Sequence, residues 1–405
     1  MEWIKDENKY RVHIKSWCSN VEGMAMSQAE DLAMHPCVFK HVALMPDCHP
    51  GYGMPIGGVI ACKDAVIPNA VGVDIGCGMG AVKTSIRVND AEDKPTLREV
   101  TKRIKELIPS GEGHSHKKPQ EWAGMPQDLN DFSDRGWFSE HVKTLAKKNL
   151  GSLGGGNHFI EIQAGDDGFV WLMIHSGSRH LGNKIAQYYN KVAVDLNILW
   201  NADVPGKDLA FLPVDTKEGK AYIEDMNFAL AYAKENRRRI MDNFMKAFAS
   251  VFTTAEFGQT VNIHHNYAAL ENHFGENVWV HRKGATSARK GEIGIIPGSM
   301  GTPSYIVEGL GNPESFTSCS HGAGRVLGRN QASTQLTVEE CDTVMGDIVY
   351  DRWSKLKGWK RKKGRATYDL GEAPQAYKDI DQVINAELDL IKPIVKLKPL
   401  GVVKG

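Results

Sequence analysis

Residues 71–80 read Val-Gly-Val-Asp-Ile-Gly-Cys-Gly-Met-Gly. The apolar run Val71–Asp74 predicts a strand that delivers Asp74. Glycines on both sides of Cys77 predict a tight turn that returns the thiol close to that carboxylate. A hard oxygen and a soft thiolate in one place suit a divalent transition metal, and a thiolate can bridge two ions. The same residues also suit a small buried thiol beside a turn carboxylate. Around this stretch, residues 38–88 form a β-rich block. Apolar runs at His41–Met45, Gly58–Ala61 and Gly80–Thr84 are broken by Gly and Pro.

Working outward, further glycine-rich clusters carry chemistry-bearing side chains. Gly154-Gly155-Gly156-Asn157-His158 abuts a predicted strand, His158–Gln163, in which His158, Ile160 and Ile162 share one face and Phe159 and Glu161 the other. His175 ends the predicted strand Phe169–Ile174, and His264-His265 follow the predicted strand Thr260–Ile263. One histidine at a strand end is ordinary. Three of them beside Gly- or Asn-rich turns, in a chain that also carries Asp74 and Cys77, make a first shell for one or two metal ions. The clusters His281–Thr286, Ile296–Thr302 and Ser318–Arg325 have the polar, glycine-rich, partly cationic make-up of phosphate cradles. None matches the P-loop or the dinucleotide fingerprint. His321, between serines and Gly322-Ala323-Gly324-Arg325, is placed to attack phosphorus through a ring nitrogen, and the resulting N–P bond is labile.

The bulk numbers set the frame. The chain has 405 residues, 41% hydrophobic and 24% charged, with 49 Lys+Arg against 49 Asp+Glu. A zero net charge excludes a surface that is basic throughout and leaves room for a local basic groove. The polar N-terminus and the lack of a long apolar run predict a cytoplasmic protein without a membrane span. Seven widely spaced cysteines without a CxxC pair predict reduced thiols rather than a disulfide framework. Helices are expected over 91–108, 137–149, 217–252 (as one or two, with Arg237-Arg238-Arg239 inside), 340–360 and Val383–Ile391, which Pro393 should stop. Further strands are expected at Val278–His281, Gly294–Ile296 and Ser304–Val307. Residues 110–135 read as a flexible loop or lid. Residues 353–366 read as a basic segment, with Trp353 and Trp359 among lysines, suited to a phosphate backbone or simply to solvent. The elements alternate irregularly, which predicts an α+β fold: one large domain over 1–405 with a mixed β-sheet core and inserted helices. A split near residue 200 is the alternative.

Nine motifs in order carry a resemblance to a known family: Pro46–Gly53, Gly72–Met79, Gly154–Ile162, His175–Arg179, His264–Ala268, His281–Ala285, Pro297–Thr302, Ser318–Arg325 and Tyr377–Asp381. In this series the chain resembles the RtcB family of RNA ligases, in its shorter bacterial branch, from about residue 38 to Lys404-Gly405. The resemblance implies the RtcB-type fold, with a deep cleft for two Mn2+ ions held by Asp74, Cys77, His158, His175 and His265, Cys77 bridging the pair. It implies His321 as the nucleophile that becomes guanylylated by GTP. Asn157, Glu161, Pro297, Gly298, Ser299, Met300, Gly322, Ala323, Gly324, Tyr377 and Lys404 would line the nucleotide pocket, with Lys404 reaching the guanine and Tyr377 packing against it. Asp47, Arg179 and Arg325 would support the ligands or contact phosphate or RNA.

The reaction it implies joins an RNA 2′,3′-cyclic phosphate or 3′-phosphate end to a 5′-hydroxyl end through histidine–GMP and RNA-ppG. The expected partners are RNA (tRNA halves, damaged tRNA or rRNA), GTP and an archease-like activator. No membrane is expected, and the chain would be a monomer or weak homo-oligomer. Two other readings use the same residues: a metal-dependent phosphoesterase with water as nucleophile, and a non-catalytic RNA-binding module built on the Trp/Lys segment.

Overall fold

The computed structural model describes residues 1–125, 136–356 and 367–405. Two sheets dominate it. The first has six strands in the order Trp3–Lys5, His13–Ser16, Val38–His49, Ile56–Cys62, Glu276–Lys283, Asn266–His273. His13–Ser16 runs parallel to Val38–His49, and the other neighbours are antiparallel. The second has seven antiparallel strands in the order Val261–His264, Gly78–Arg87, Phe169–Ser176, Phe159–Gly165, Ile391–Lys404, Ser304–Gly309, Ile293–Ile296.

Alternation along the strands decides what each face meets. Ile160, Ile162, Val170, Leu172 and Ile174 of the seven-stranded sheet pack under two helices. These are Lys94–Leu107, with Leu97, Val100 and Ile104 turned inward, and the long Lys217–Ala249, with Ile240, Phe244 and Phe248. Asp93 caps the first helix by accepting from Thr96 N–H at 3.0 Å. Thr216 caps the second by accepting from Gly219 N–H at 3.0 Å. The out-of-phase residues Met79, Phe159, Trp171 and Met173 cover the opposite face. The two sheets meet where Ala43, Met45, Val59, Ala61 and Val280 pack against Ile296, Tyr305 and Val307.

The β-rich block and most of the expected strands are present, and the α+β reading holds. Three expectations need correction. Val71–Asp74 is not a strand: Pro68 opens a short helix, Pro68–Val71, and Gly72 at φ 94° ends it, so Asp74 rides on a loop. The helix expected over 340–360 stops at Met345. The helix expected over Val383–Ile391 is Ile380–Ala386, and Ile391 instead opens a 14-residue strand in the middle of the seven-stranded sheet. Pro393 and Pro399 do not break that strand because the pairing shifts register beside each of them. The 217–252 stretch is one helix, Lys217–Ala249. The helix Leu181–Leu199 and the strand Asn266–His273 carry no sequence expectation at all.

Of the 110–135 loop, residues 126–135 lie outside the described residues. The described part is tied down: Trp122 packs against Phe228 and Tyr232, and His116 N–H donates to Lys148 O at 3.0 Å. Most of the basic segment, residues 357–366 including Trp359, also lies outside the described residues. Among the described residues, no helix is long and apolar enough to cross a membrane.

Phe244 is fully buried between the long helix and the sheet that carries the site. Phe244→Ala is expected to destabilise the chain by about 3–5 kcal/mol. The measurement is the urea midpoint followed by circular dichroism, and an unchanged midpoint would mean that this packing contributes nothing.

Candidate metal and nucleotide site

Strand register assembles the site. Gly78 pairs with Ser176 on one side and His264 on the other. Met79 faces His175, and His175 faces Phe159. Cys77, His158, His175 and His265 therefore emerge at one end of three adjoining pairings. A Cβ at position 78 would lie 1.9 Å from Ile263 O, so glycine is required for the strands to approach this closely. His265 N–H donates to Cys77 O at 2.9 Å, which fixes the next residue as well.

The side-chain distances are short. Cys77 Sγ lies 3.2 Å from His175 Nε2 and 3.5 Å from His158 Nε2. His175 Nε2 and His265 Nε2 are 3.3 Å apart, and His158 Nε2 is 3.4 Å from Asp74 Oδ2. Ligand atoms about 2.0–2.3 Å from one ion are roughly 3.3–3.8 Å apart in a tetrahedron, so these separations suit a shared cation. The atoms form two metal-capable sets, Cys77–His175–His265 and Asp74–Cys77–His158, with Cys77 common to both. Burial, helped by Asp74, pushes the Cys77 thiol well above its ordinary range. Burial pushes His175 and His265 well below theirs, with His158 adding to the first and His321 to the second. Neutral imidazoles are ready to ligate, and a cation is what would offset the cost of a thiolate in this position.

His321 leads out of the short strand Ser318–Ser320, which pairs with Ala285–Ser287. Its ring stands 4.9 Å from that of His265, centroid to centroid. Its Nδ1 donates to Oδ2 of the fully buried Asp47 at 2.5 Å, and its backbone N–H donates to the same oxygen at 3.2 Å. With Nδ1 engaged as donor, the lone pair is left on Nε2.

These groups open on a cleft of about 630 Å³. Asp74, Cys77, His175, His265 and His321 line it. Of the expected nucleotide residues, Asn157, Pro297, Gly298, Ser299, Met300, Gly322, Ala323, Gly324, Tyr377 and Lys404 line it too, together with Arg325. His158, Glu161, Asp47 and Arg179 are not on its wall. His158 supports Cys77 from behind. Glu161 is buried, accepts from Gln163 Nε2 at 2.7 Å, and is raised by burial to about 8 against the pull of Lys404. Arg179 donates to Ser152 Oγ at 3.1 Å, behind the Gly154 loop.

Glu372, Lys283 and Asn266 are among the cleft residues that the sequence assignment lacks. Glu372 is ion-paired with Arg329 at 2.7 Å, Arg325 at 3.4 Å and Lys404 at 3.6 Å, and it accepts from Tyr377 Oη. Burial opposes its ionisation, but Lys404 and Arg329 hold it down to about 2. Lys283, within the His281–Ala285 motif, buries its amine and donates to Asn69 O at 3.0 Å and to Tyr52 O. Asn266 donates to Asp74 O at 3.1 Å and accepts from Gly284 N–H at 2.7 Å, tying the aspartate loop to the loop beneath His321. The position of Lys283 in a cationic, glycine-flanked motif was the available signal. Glu372 offered none, because its ion-pair partners are distant in sequence.

Comparison with known proteins places the chain in a family. The family whose model matches the chain is described as tRNA-splicing ligase RtcB, and the match covers residues 28–405. The chain is 39% identical to the RNA-splicing ligase RtcB of Escherichia coli K12, over 97% of each chain. It is 34% identical to the tRNA-splicing ligase RtcB of Methanococcus maripaludis, over 95% of this chain and 92% of the relative. It is 32% identical to the RNA-splicing ligase RtcB of Mycobacterium tuberculosis, over 93% of this chain and all of the relative.

Burial lowers the Lys283 amine to about 7. Between about pH 7 and 10 the unfolded chain therefore binds a proton there that the folded chain does not, and stability rises with pH on account of this group. Lys283→Met should lose that rise, read as the shift in urea midpoint between about pH 7 and 9 in the two proteins. The same pH dependence in both would refute a desolvated amine.

Proposed function

The chain belongs to the RtcB family and is an RNA ligase of RNA splicing or repair, and from that premise we propose that it joins 3′-phosphate to 5′-hydroxyl RNA ends using GTP and manganese. The observation that carries the finer reading is the juxtaposition of His321 with the thiol–imidazole cluster. A histidine held by a buried carboxylate through Nδ1 presents Nε2 to a cleft whose wall includes Cys77, His175 and His265. We assign the chain as one catalytic unit with this cleft at its centre.

The donor set fits two manganese ions. Asp74, Cys77 and His158 would hold one, Cys77, His175 and His265 the other, with the thiolate shared. When bound, the ions supply charge neutralisation at the phosphates and hold the reacting groups in line.

The chain's own residues account for the rest. Nε2 of His321 attacks the α-phosphorus of GTP, an N–P bond forms, and pyrophosphate leaves. Asp47 keeps the ring oriented and stabilises the imidazolium character that develops as the bond forms. After water opens a cyclic phosphate, an oxygen of the RNA 3′-phosphate attacks the guanylate phosphorus and the His321 nitrogen leaves, giving RNA-ppG. The 5′-hydroxyl of the second strand then attacks the RNA-side phosphorus and GMP departs. A bare 3′-phosphate lacks such a leaving group, which is why the guanylate is needed. Gly322, Ala323 and Gly324 leave backbone room for phosphate oxygens, and Arg325 adds charge. At the other end of the nucleotide pocket, Glu372 steadies Tyr377 and Lys404 for the base, with Glu161 close to Lys404.

A phosphoesterase using the same ligands would have water as nucleophile and no use for the Asp47–His321 pair. The RNA-module reading rests on residues 353–366, most of which lie outside the described chain.

His321→Ala should abolish the labelled protein adduct formed from α-labelled GTP with Mn2+, and a persisting adduct would sink the nucleophile assignment. Cys77→Ala should lose bound manganese by elemental analysis, and unchanged stoichiometry would remove the shared thiolate from the site. In a joining assay with cyclic-phosphate and 5′-hydroxyl ends, GTP should support ligation and ATP should not; equal joining with both would overturn the guanine assignment.

A further inference from the structure

Of the run Arg237-Arg238-Arg239 on the helix Lys217–Ala249, only the first residue is fully buried. Arg238 is exposed and pairs with Glu235 at 2.7 Å and Asp242 at 2.6 Å on its own helix. Arg237 turns inward and spends its donors on other segments. Nη1 donates to Gly76 O at 2.7 Å and to Ser176 O at 2.9 Å. Nε donates to Asn262 Oδ1 at 2.8 Å, and Nη2 to His264 Nδ1 at 2.9 Å.

The recipients are telling. Gly76 precedes Cys77, Ser176 follows His175, and His264 precedes His265. Three segments far apart in sequence, each one residue from a candidate ligand, meet on one guanidinium. The preceding helix residue extends the same device: Asn236 accepts from Gly151 N–H at 2.7 Å and donates to Gly177 O at 3.1 Å. That anchors the loop running on to Asn157 and His158. A guanidinium is planar, with donors in fixed directions, so it sets angles as well as distances, which an ammonium on a flexible stem cannot do. Burial pushes the Arg237 guanidinium down to about 10, and the nearby Asp74 opposes that shift.

We propose that Arg237 is the positioning residue of the metal site, a single buried fork that sets the mutual spacing of Cys77, His175 and His265. This rests on the metal reading given above. Removing such a support behind metal ligands typically lowers metal affinity about 10–100-fold.

The test is a titration of the full chain with Mn2+ alone, by calorimetry, in the unaltered protein, Arg237→Lys and Arg238→Lys. A parallel titration with Co2+ follows the thiolate-to-cobalt charge-transfer band, which reports Cys77 in the coordination sphere. Arg237→Lys keeps the charge and loses the fork. It should bind Mn2+ about 10–100-fold more weakly, with a diminished or shifted Co2+ band. Arg238→Lys should match the unaltered chain in both. Equal Mn2+ affinity and an identical band in folded Arg237→Lys would overturn the proposal. Should Arg237→Lys not fold, Asn262→Ala decides, since it frees the Nε side of the fork, together with one bond to Lys234 O, and leaves the Nη donors in place: weaker Mn2+ binding with unchanged circular dichroism supports the proposal, and unchanged binding overturns it. Failure of the unaltered chain to bind Mn2+ would instead sink the metal reading on which the proposal rests.

Discussion

The site depends on the register of one strand. Gly78–Arg87 lies between Val261–His264 and Phe169–Ser176, and its first residue must be glycine for its neighbour to approach. Sliding any of these pairings by one residue would turn His175 away from Cys77, because strand side chains alternate with a period of two. The hydrophobic faces make that slip expensive. Val170, Leu172 and Ile174 would leave the helices they pack under, and Trp171 and Met173 would be driven among them. The packing that holds the sheet together is thus also what holds the ligand atoms in place.

This arrangement is strained in an electrostatic sense. A thiol and three imidazoles are crowded together with little access to water, beside a part-exposed carboxylate, and burial pushes the thiol towards its protonated form. Such a cluster contributes little to folding by itself, since hydrogen bonds among its members only partly offset their desolvation. Its natural complement is a cation that several donors can share. The Asp47–His321 pair is a different case: it is complete within the protein, and the ring needs no cation to be oriented. The His321 ring is therefore set in advance, while the neighbouring cluster offers donors that a bound cation would complete.

Much of this was legible in the sequence because the chemistry sits in short, glycine-flanked motifs. Asp74, Cys77, His158, His175, His265 and His321 could each be singled out locally, and the order of the motifs identified the family. The apolar pattern of Ile380–Ala386 continues through Leu388, Leu390 and Ile391, so it extends the expected helix to Ile391 and leaves the strand Ile391–Lys404 without an expectation of its own. Nothing local reveals that Pro393 and Pro399 would fall at register shifts. Asp74 was placed on a strand because Val71 and Val73 look β-forming, yet Pro68 and Gly72 set the backbone. Glu372 and Arg237 were beyond reach for a common reason: the role of a buried charge is defined by partners that only the tertiary fold brings to it.

Glu372 also bears on how a chain of zero net charge can handle highly anionic substrates. Long-range attraction requires an excess of one sign over a large surface, which 49 basic and 49 acidic residues do not provide. The cleft is organised otherwise. Its wall carries Arg325, Arg329 and Lys404 against Asp74 and Glu372. Glu372 spreads its single charge over Arg325, Arg329 and Lys404, so it holds these cations in place without neutralising them. Positive charge that is fixed, partly desolvated and confined to one cavity acts at short range, where salt screens it less than at an open surface. On the proposed reading, phosphate meets these cations inside the cleft, at positions that the fold has already set.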